Sequence, residues 1–390
     1  MKFSHFLTSK KSGILAFFAV FFAFLNASAQ NHDHGQQADS AAMEQAETGH
    51  HESHEEKEFD ITSFIFHHIG DSHEFHFWGH GESWTGLYLP VILYTHNGLV
   101  CFSAKEFHLN DDGSVVVEKD GMRFARSHGK IYYAAEEAEH GSYVHHEKNE
   151  KGEEVVTNIR PIDFSITKNV FTLFLSVAIL LLVFLSVAKG YKKREGKAPK
   201  GLQSVLEPII IFVRDDIAKP NLGHKYERYM PYLLTVFFFI WLNNMLGLVP
   251  FFPGGANVTG NIAVTMILAL ITLVIILFSG NKYYWGHIFN PPVPWWLKPL
   301  MIPVEIFGIF TKPFALMIRL FANITAGHIL VLSLLCLVFI FKSLAVAPVS
   351  VFFVVFIGAI ELLVAFIQAF IFTILSALFI GMAIEEHADH

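Results

Sequence analysis

The sequence predicts an all-α polytopic membrane protein: five transmembrane helices plus an amphipathic helix, the last two spans long and tilted as a hairpin, behind a small β-rich extracytoplasmic N-terminal domain. Three observations lead there. The chain is 53% hydrophobic and only 16% charged, a balance that suits a membrane protein with a polar appendage. From residue 165 onward it carries five apolar runs of 19 residues or more, each enough to cross a hydrocarbon core of ~30 Å. Before residue 160 the apolar runs are short, β-branched and aromatic, and are broken by Asn-Gly and Asp-Gly pairs, the chemistry of hairpin turns. A net charge of −7 argues against a nucleic-acid partner. Two distant cysteines, Cys101 and Cys336, define neither a disulfide framework nor a thiolate metal site.

Residues 1–29 read as a cleaved secretory signal. Lys2, Lys10 and Lys11 precede the apolar core GILAFFAVFFAFL, and Ala27-Ser28-Ala29 is a small-residue cleavage pattern. Residues 30–58 are rich in His, Glu and Gln and nearly free of apolar side chains. That composition predicts a disordered, solvated tail in which HHESHEEKE has at most a weak metal affinity. Residues 59–160 form the β-rich periplasmic domain, with turns expected at Asn97-Gly98, Asp111-Asp112-Gly113 and Asp120-Gly121. Seventeen of the 22 histidines precede residue 160, which concentrates groups that titrate near neutral pH on that side.

The membrane domain covers residues 165–387. Its first span, 170–188, runs directly into KGYKKREGKAPKG, and so dense a positive loop stays in the cytoplasm. The N-terminal domain is thereby placed outside, as the signal peptide also requires. SVLEPIIIFVRDDIAKP mixes apolar residues with Glu207, Arg214, Asp215 and Asp216 and should lie along the cytoplasmic face. Residues 232–252 cross outward, PGGANVTGN makes an uncharged outer loop, and 262–280 return. Two longer apolar segments, about Leu300–Phe341 and Val349–Ile384, exceed what a perpendicular span needs. KSLAVAP joins them, and the C-terminus ends in the cytoplasm.

These last segments hold Glu305, Arg319, His328 and Glu361, with Asn323 and Gln368 as neutral companions. Such groups inside a membrane cost at least ~2.5–3.5 kcal/mol for a mid-bilayer arginine and default to function. In an antiparallel hairpin, residues at one depth are equidistant from the turn. Arg319 and Gln368 are equidistant from residue 344 to within one position, and so are His328 and Glu361. The polar groups therefore fall in two layers, about 13 Å apart at 1.5 Å per residue. Asn323 shares a face with Arg319, Glu361 shares one with Gln368, and His328 lies about 180° round from Arg319. Alanines and glycines around them permit close helix contacts.

TKPFALMIRLFANITAGH and ELLVAFIQAFIFTILSALFIGMA resemble subunit a of the F-type ATP synthase, and PYLLTVFFFIWLNNMLGLVP resembles that family's third helix. The likeness spans roughly residues 165–387 and says nothing of the first 160. It implies a non-catalytic stator subunit that forms two proton half-channels. Arg319 would be the essential arginine facing the rotating c-ring, Asn323 its companion one turn on, and Gln368 the glutamine beside it. Glu305 would mark the cytoplasmic exit, and Glu361 with His328 the outer relay. The Glu/His pair is exchanged relative to many bacterial members. The implied partners are c-ring rotor subunits, a b-subunit peripheral stalk, the remaining ATP synthase subunits, protons and the bilayer of a bacterial inner membrane. No cofactor and no metal is implied. Without a G-x-x-x-x-G-K-[ST] loop, ATP chemistry would belong to other chains. The competing reading, a secondary ion transporter with a buried Arg/Glu/His relay, would usually show repeated halves, and the sequence has none. A periplasmic metal sensor would explain the histidines but not Arg319 and Glu361.

Overall fold

The computed structural model describes Ile65 and residues 69–78, 85–139, 141–148, 154–194, 196–249, 254–341 and 346–385. The signal sequence, the His/Glu-rich tail and most of the KSLAVAP turn lie outside these residues. The chain divides into two compact units, residues 62–174 with 249–257, and the remainder.

The first unit is built from ten strands: β1 (Glu74–Trp78), β2 (Thr85–Tyr88), β3 (Pro90–Thr95), β4 (Gly98–Ser103), β5 (Asp112–Lys119), β6 (Met122–Ser127), β7 (Lys130–Tyr133), β8 (His146–Lys148), β9 (Glu154–Val156) and β10 (Ile162–Asp163). Two three-stranded antiparallel sheets, ordered β10-β3-β4 and β5-β6-β7, carry its core. Val91, Leu93, Val100 and Phe102 point inward from one, and Val117, Phe124 and Ile131 from the other. Phe102 stacks on Phe124 with ring centroids 6.0 Å apart. Two-residue turns close the hairpins. Asp120-Gly121 and His128-Gly129 both hold positive φ, the twist that fits a tight hairpin.

Asp111-Asp112-Gly113 departs from expectation. It does not turn a hairpin but opens β5 beside a register irregularity. There the Asp111 carboxylate accepts from the Gly129 N–H at 2.8 and 2.9 Å. Gly113 is required because a Cβ would strike the Ser142 hydroxyl and meet Val144 at 3.1 Å.

A buried ion pair crosses this unit. Arg126, 2% exposed, donates to Glu74 at 2.7 Å and lies 3.3 Å from Asp111. Its Nε donates to the Asn110 carbonyl at 2.9 Å, and its guanidinium lies over the Phe107 ring.

Seven helices of eight residues or more follow among the described residues: α1 (Lys168–Lys193), α2 (Leu202–Phe212), α3 (Tyr226–Leu248), α4 (Ile262–Ser279), α5 (Lys282–Phe289), α6 (Lys298–Ile340) and α7 (Ala347–Ile384). Five helical runs are long and apolar enough to cross a membrane, so the chain is a multi-pass membrane protein of mainly helical fold. The amphipathic segment forms α2 and continues through a widened turn, Val213–Ala218, and one short helix, Lys219–Leu222, towards α3. The short helix α5 was not anticipated. At 1.5 Å per residue the 43 residues of α6 and the 38 of α7 reach about 65 and 57 Å. Neither fits upright in a ~30 Å core.

Helix α7 packs on α3, α4 and α6. Its C-terminal half is buried and its N-terminal half is bare: Ala377 and Ile380 are 0% exposed, Phe352 66% and Val355 67%. The final carbonyls of α7, which no helix can satisfy internally, accept instead from Asn281 Nδ2 at 2.8 Å, Lys225 Nζ at 3.3 Å and the Asn281 backbone at 2.9 Å. The segment read as an outer loop is largely packed away, with Val258 and Thr259 each 1% exposed.

The Arg126 pair makes a stability prediction. Arg126→Met alone leaves Glu74 buried without its counter-charge and should cost about 3–5 kcal/mol. Arg126→Met combined with Glu74→Leu should recover most of that. Proteolytic release of the β unit from the full chain in detergent, followed over temperature, distinguishes the two. Equal resistance of wild type and single variant would contradict the pair's assigned weight.

Candidate functional site

Helix α6 displays a stripe that the rest of the chain leaves uncovered. Phe307, Phe310, Phe314, Ile318, Ala322, Ala326 and Ile329 follow one another at three- to four-residue steps and are all exposed. These are the steps that keep residues on one helical face. Arg319 and Asn323, one turn apart, flank this stripe and are exposed as well. Leu316 and Leu320, on the opposite side, are 2% and 1% exposed. Arg319 has no ion pair and no hydrogen bond with any described residue. Around it Ala315, Ala322 and Ala326 stand at the heights where a longer side chain would obstruct an approaching helix.

The second layer lies between the helices of the hairpin. The Glu361 carboxyl sits directly against the backbone of Gly327, where an added Cβ would collide with its Oε1 and lie 3.1 Å from its Cδ. Glu361 Oε1 is buried with no hydrogen-bond partner among the described residues. His328, next along the chain, is half-buried. Two further contacts keep the same register. Ser350 donates to the Leu334 carbonyl near the turn, and Lys312 Nζ lies 5.7 Å from the Phe379 ring centre near the opposite end. Both fall within about one helical turn of symmetry about residue 344, Leu334 and Ser350 lying 10 and 6 residues from it and Lys312 and Phe379 32 and 35.

The other two residues singled out are placed differently. Gln368 is buried, 6% exposed, and no hydrogen bond joins it to Arg319 among the described residues. Glu305 is half-buried and close enough to α5 for its charge, after burial, to help push Tyr284 above the usual tyrosine range.

Sequence reasoning overlooked three contributors. Asn244, 2% exposed, donates to the Ala365 carbonyl at 3.2 Å and accepts from the Thr259 hydroxyl at 2.6 Å. It thereby locks α3 to α7 one turn from Gln368. Tyr232 and Thr272 share a hydrogen bond of 2.6 Å between α3 and α4. Lys312 lies seven residues before Arg319 and on nearly the same face. A polar side chain in mid-span was the available signal for Asn244, and heptad spacing from Arg319 for Lys312.

The arrangement presents a cation that no accessible pH discharges on an open face. Eight residues along, about 12 Å by helical rise, a carboxyl that can exchange protons is set between two helices. This defines a polytopic membrane protein with an ionisable hairpin. The family profile described as ATP synthase A chain matches residues 170–381. "ATP synthase subunit a" of Chloroherpeton thalassium is 50% identical over 236 residues, 58% of this chain and 69% of that relative. The protein of the same name from Chlorobium phaeobacteroides (strain DSM 266) is 52% identical over 238 residues, 58% and 68% of the two chains. That of Myxococcus xanthus is 47% identical over 239 residues, 59% and 77%. A profile for a domain of unknown function matches residues 64–164. The chain belongs to the ATP synthase subunit a family.

Gly327→Ala tests the second layer. The added methyl should displace the Glu361 carboxyl, so proton pumping driven by ATP in inverted vesicles should fall several-fold while the complex still assembles on native gels. Unchanged pumping would mean that Glu361 is not held where the hairpin puts it.

Proposed function

We propose that this chain is the static half of a rotary proton motor. On this reading the β-rich domain lies in the periplasm and the basic loop after α1 in the cytoplasm. A ring of rotor hairpins, each with one membrane carboxyl, runs along the bare stripe of α6. A b-type peripheral stalk holds the chain against rotation, and the remaining ATP synthase subunits carry out the ATP chemistry. The observation that carries this is Arg319, exposed among alanines on a membrane helix and unpaired among the described residues. A charge so placed costs at least ~2.5–3.5 kcal/mol without a counter-ion, and a rotor carboxylate is a counter-ion that comes and goes.

The physics of one step follows. A proton enters from the periplasmic side and is relayed by Glu361 and His328, whose imidazole can take and release protons near neutral pH. It neutralises a rotor carboxylate, which then faces lipid at little cost. After most of a turn the same carboxyl meets the exit path near Glu305. There Arg319 favours the ionised form. At 4 Å and an effective dielectric of about 20 the attraction is about 4 kcal/mol, equivalent to about three pKa units before desolvation is subtracted. Because Arg319 does not release its own proton, it divides the two half-channels instead of bridging them. Asn323 and the buried Gln368 position groups near this cation.

Arg319→Ala should abolish proton-driven ATP synthesis in reconstituted vesicles while leaving the soluble ATPase sector active; synthesis near the wild-type rate would refute the role. His328→Glu combined with Glu361→His should retain more synthesis than either single change, because one carboxyl and one imidazole remain in the layer. A double variant no better than both singles would rule out their partnership.

A further inference from the structure

The sheet β10-β3-β4 is apolar on both faces. Its inner face is the core already described. Its outer face carries Ile162, Tyr94 and Leu99 in one row across the strands and Phe164, Ile92 and Cys101 in the next. Ile162 is 42% exposed, Phe164 43%, Tyr94 52% and Leu99 62%, and Cys101 is exposed. A sheet with one face in water alternates apolar and polar residues, whereas a strand covered on both sides reads as a continuous apolar run. PVILYT and GLVCFS are of the second kind. The companion sheet keeps the alternation, with Asp112, Ser114 and Glu118 exposed along β5. A contiguous apolar patch on a polar domain marks an interaction surface.

The attachment of this sheet identifies what covers it. Strand pairing beyond β10 continues to the Ile166 N–H, which donates to the Pro90 carbonyl at 3.1 Å. A single residue, Thr167, then separates the sheet from Lys168, the first residue of a membrane span. Thr167 Oγ1 accepts from the Val170 N–H at 3.4 Å. The first turn is fastened to the same unit: Lys168 N donates to the Ser72 carbonyl at 2.8 Å, Asn169 N to Asp71 Oδ1 at 3.1 Å, and Phe171 meets Phe75 edge-on at 5.4 Å. Residues 249–257, the connection from α3 to α4, belong to this unit too. Phe164 stands four residues before the span, within about 14 Å of it even if fully extended. The sheet and the first turn of the span are thus joined without a flexible linker.

The geometry points to the outer face of β10-β3-β4 as a membrane-docking surface, seated in the headgroup–acyl boundary of the leaflet in which α1 begins. Tyr94 supplies the amphipathic ring that such boundaries favour, and burial in lipid answers the apolar area that water would penalise.

Cys101 lies within the surface and serves as the reporter. In the full chain with Cys336→Ala, reconstituted in phospholipid nanodiscs, a nitroxide on Cys101 is compared with one on Glu118→Cys in the Cys101→Ser, Cys336→Ala background. Collision with lipid-soluble oxygen should exceed collision with a water-soluble nickel chelate several-fold at Cys101, and the order should reverse at position 118. If Cys101 meets the nickel chelate as freely as position 118, the face lies in water and the inference is wrong. If the label at Cys101 is immobilised and shielded from both reagents, protein covers the face and the inference is equally wrong; dipolar broadening would then identify a second copy of the chain.

Discussion

The structure turns on one guanidinium that lacks a partner of its own. Arg319 stands on an uncovered face of α6, in a span whose other residues are almost all apolar. A permanent charge there is tolerated only where water or a counter-charge reaches it. The other features of the hairpin serve that condition. Alanines at 315, 322 and 326 keep the approach open, buried leucines at 316 and 320 hold the opposite face against the chain, and the length of the helix lets it lie obliquely.

A separate set of interactions keeps the hairpin in register. Gly327 admits the Glu361 carboxyl against its backbone, Ser350 reaches the Leu334 carbonyl, and Lys312 covers the Phe379 ring. The N-terminal half of α7 is bare while its C-terminal half is encased. Its backbone is pinned at Ala365 by Asn244 and at its end by Asn281 and Lys225. Buried hydrogen bonds to backbone carbonyls make a fixed scaffold, because breaking them inside lipid leaves a polar group with no substitute partner.

The β unit obeys different rules in the same chain. Its charged centre, Arg126 with Glu74, is buried and paired, where Arg319 is exposed and, among the described residues, unpaired. The contrast separates two settings of arginine: one ties strands together within a folded core, and the other stands on a helix surface.

Much of this could be read from residues in order. Run length marked the five spans, Asp120-Gly121 marked a hairpin, and symmetry about the turn put Glu361 at the level of residues 327–328, since these signals depend only on local periodicity and chain reversal. Other features needed three dimensions. Asp111-Asp112-Gly113 carries the letters of a turn, yet it begins a strand, because its carboxylate and its missing side chain answer to Gly129 and Ser142 across the sheet. The loop at Val258 and Thr259 is uncharged yet buried, because Thr259 completes Asn244. Which face of α6 is bare, whether Gln368 is buried, and what meets Lys312 were likewise decided by packing between segments far apart in sequence. Periodicity states that a helix has two faces; only its neighbours determine which one is covered.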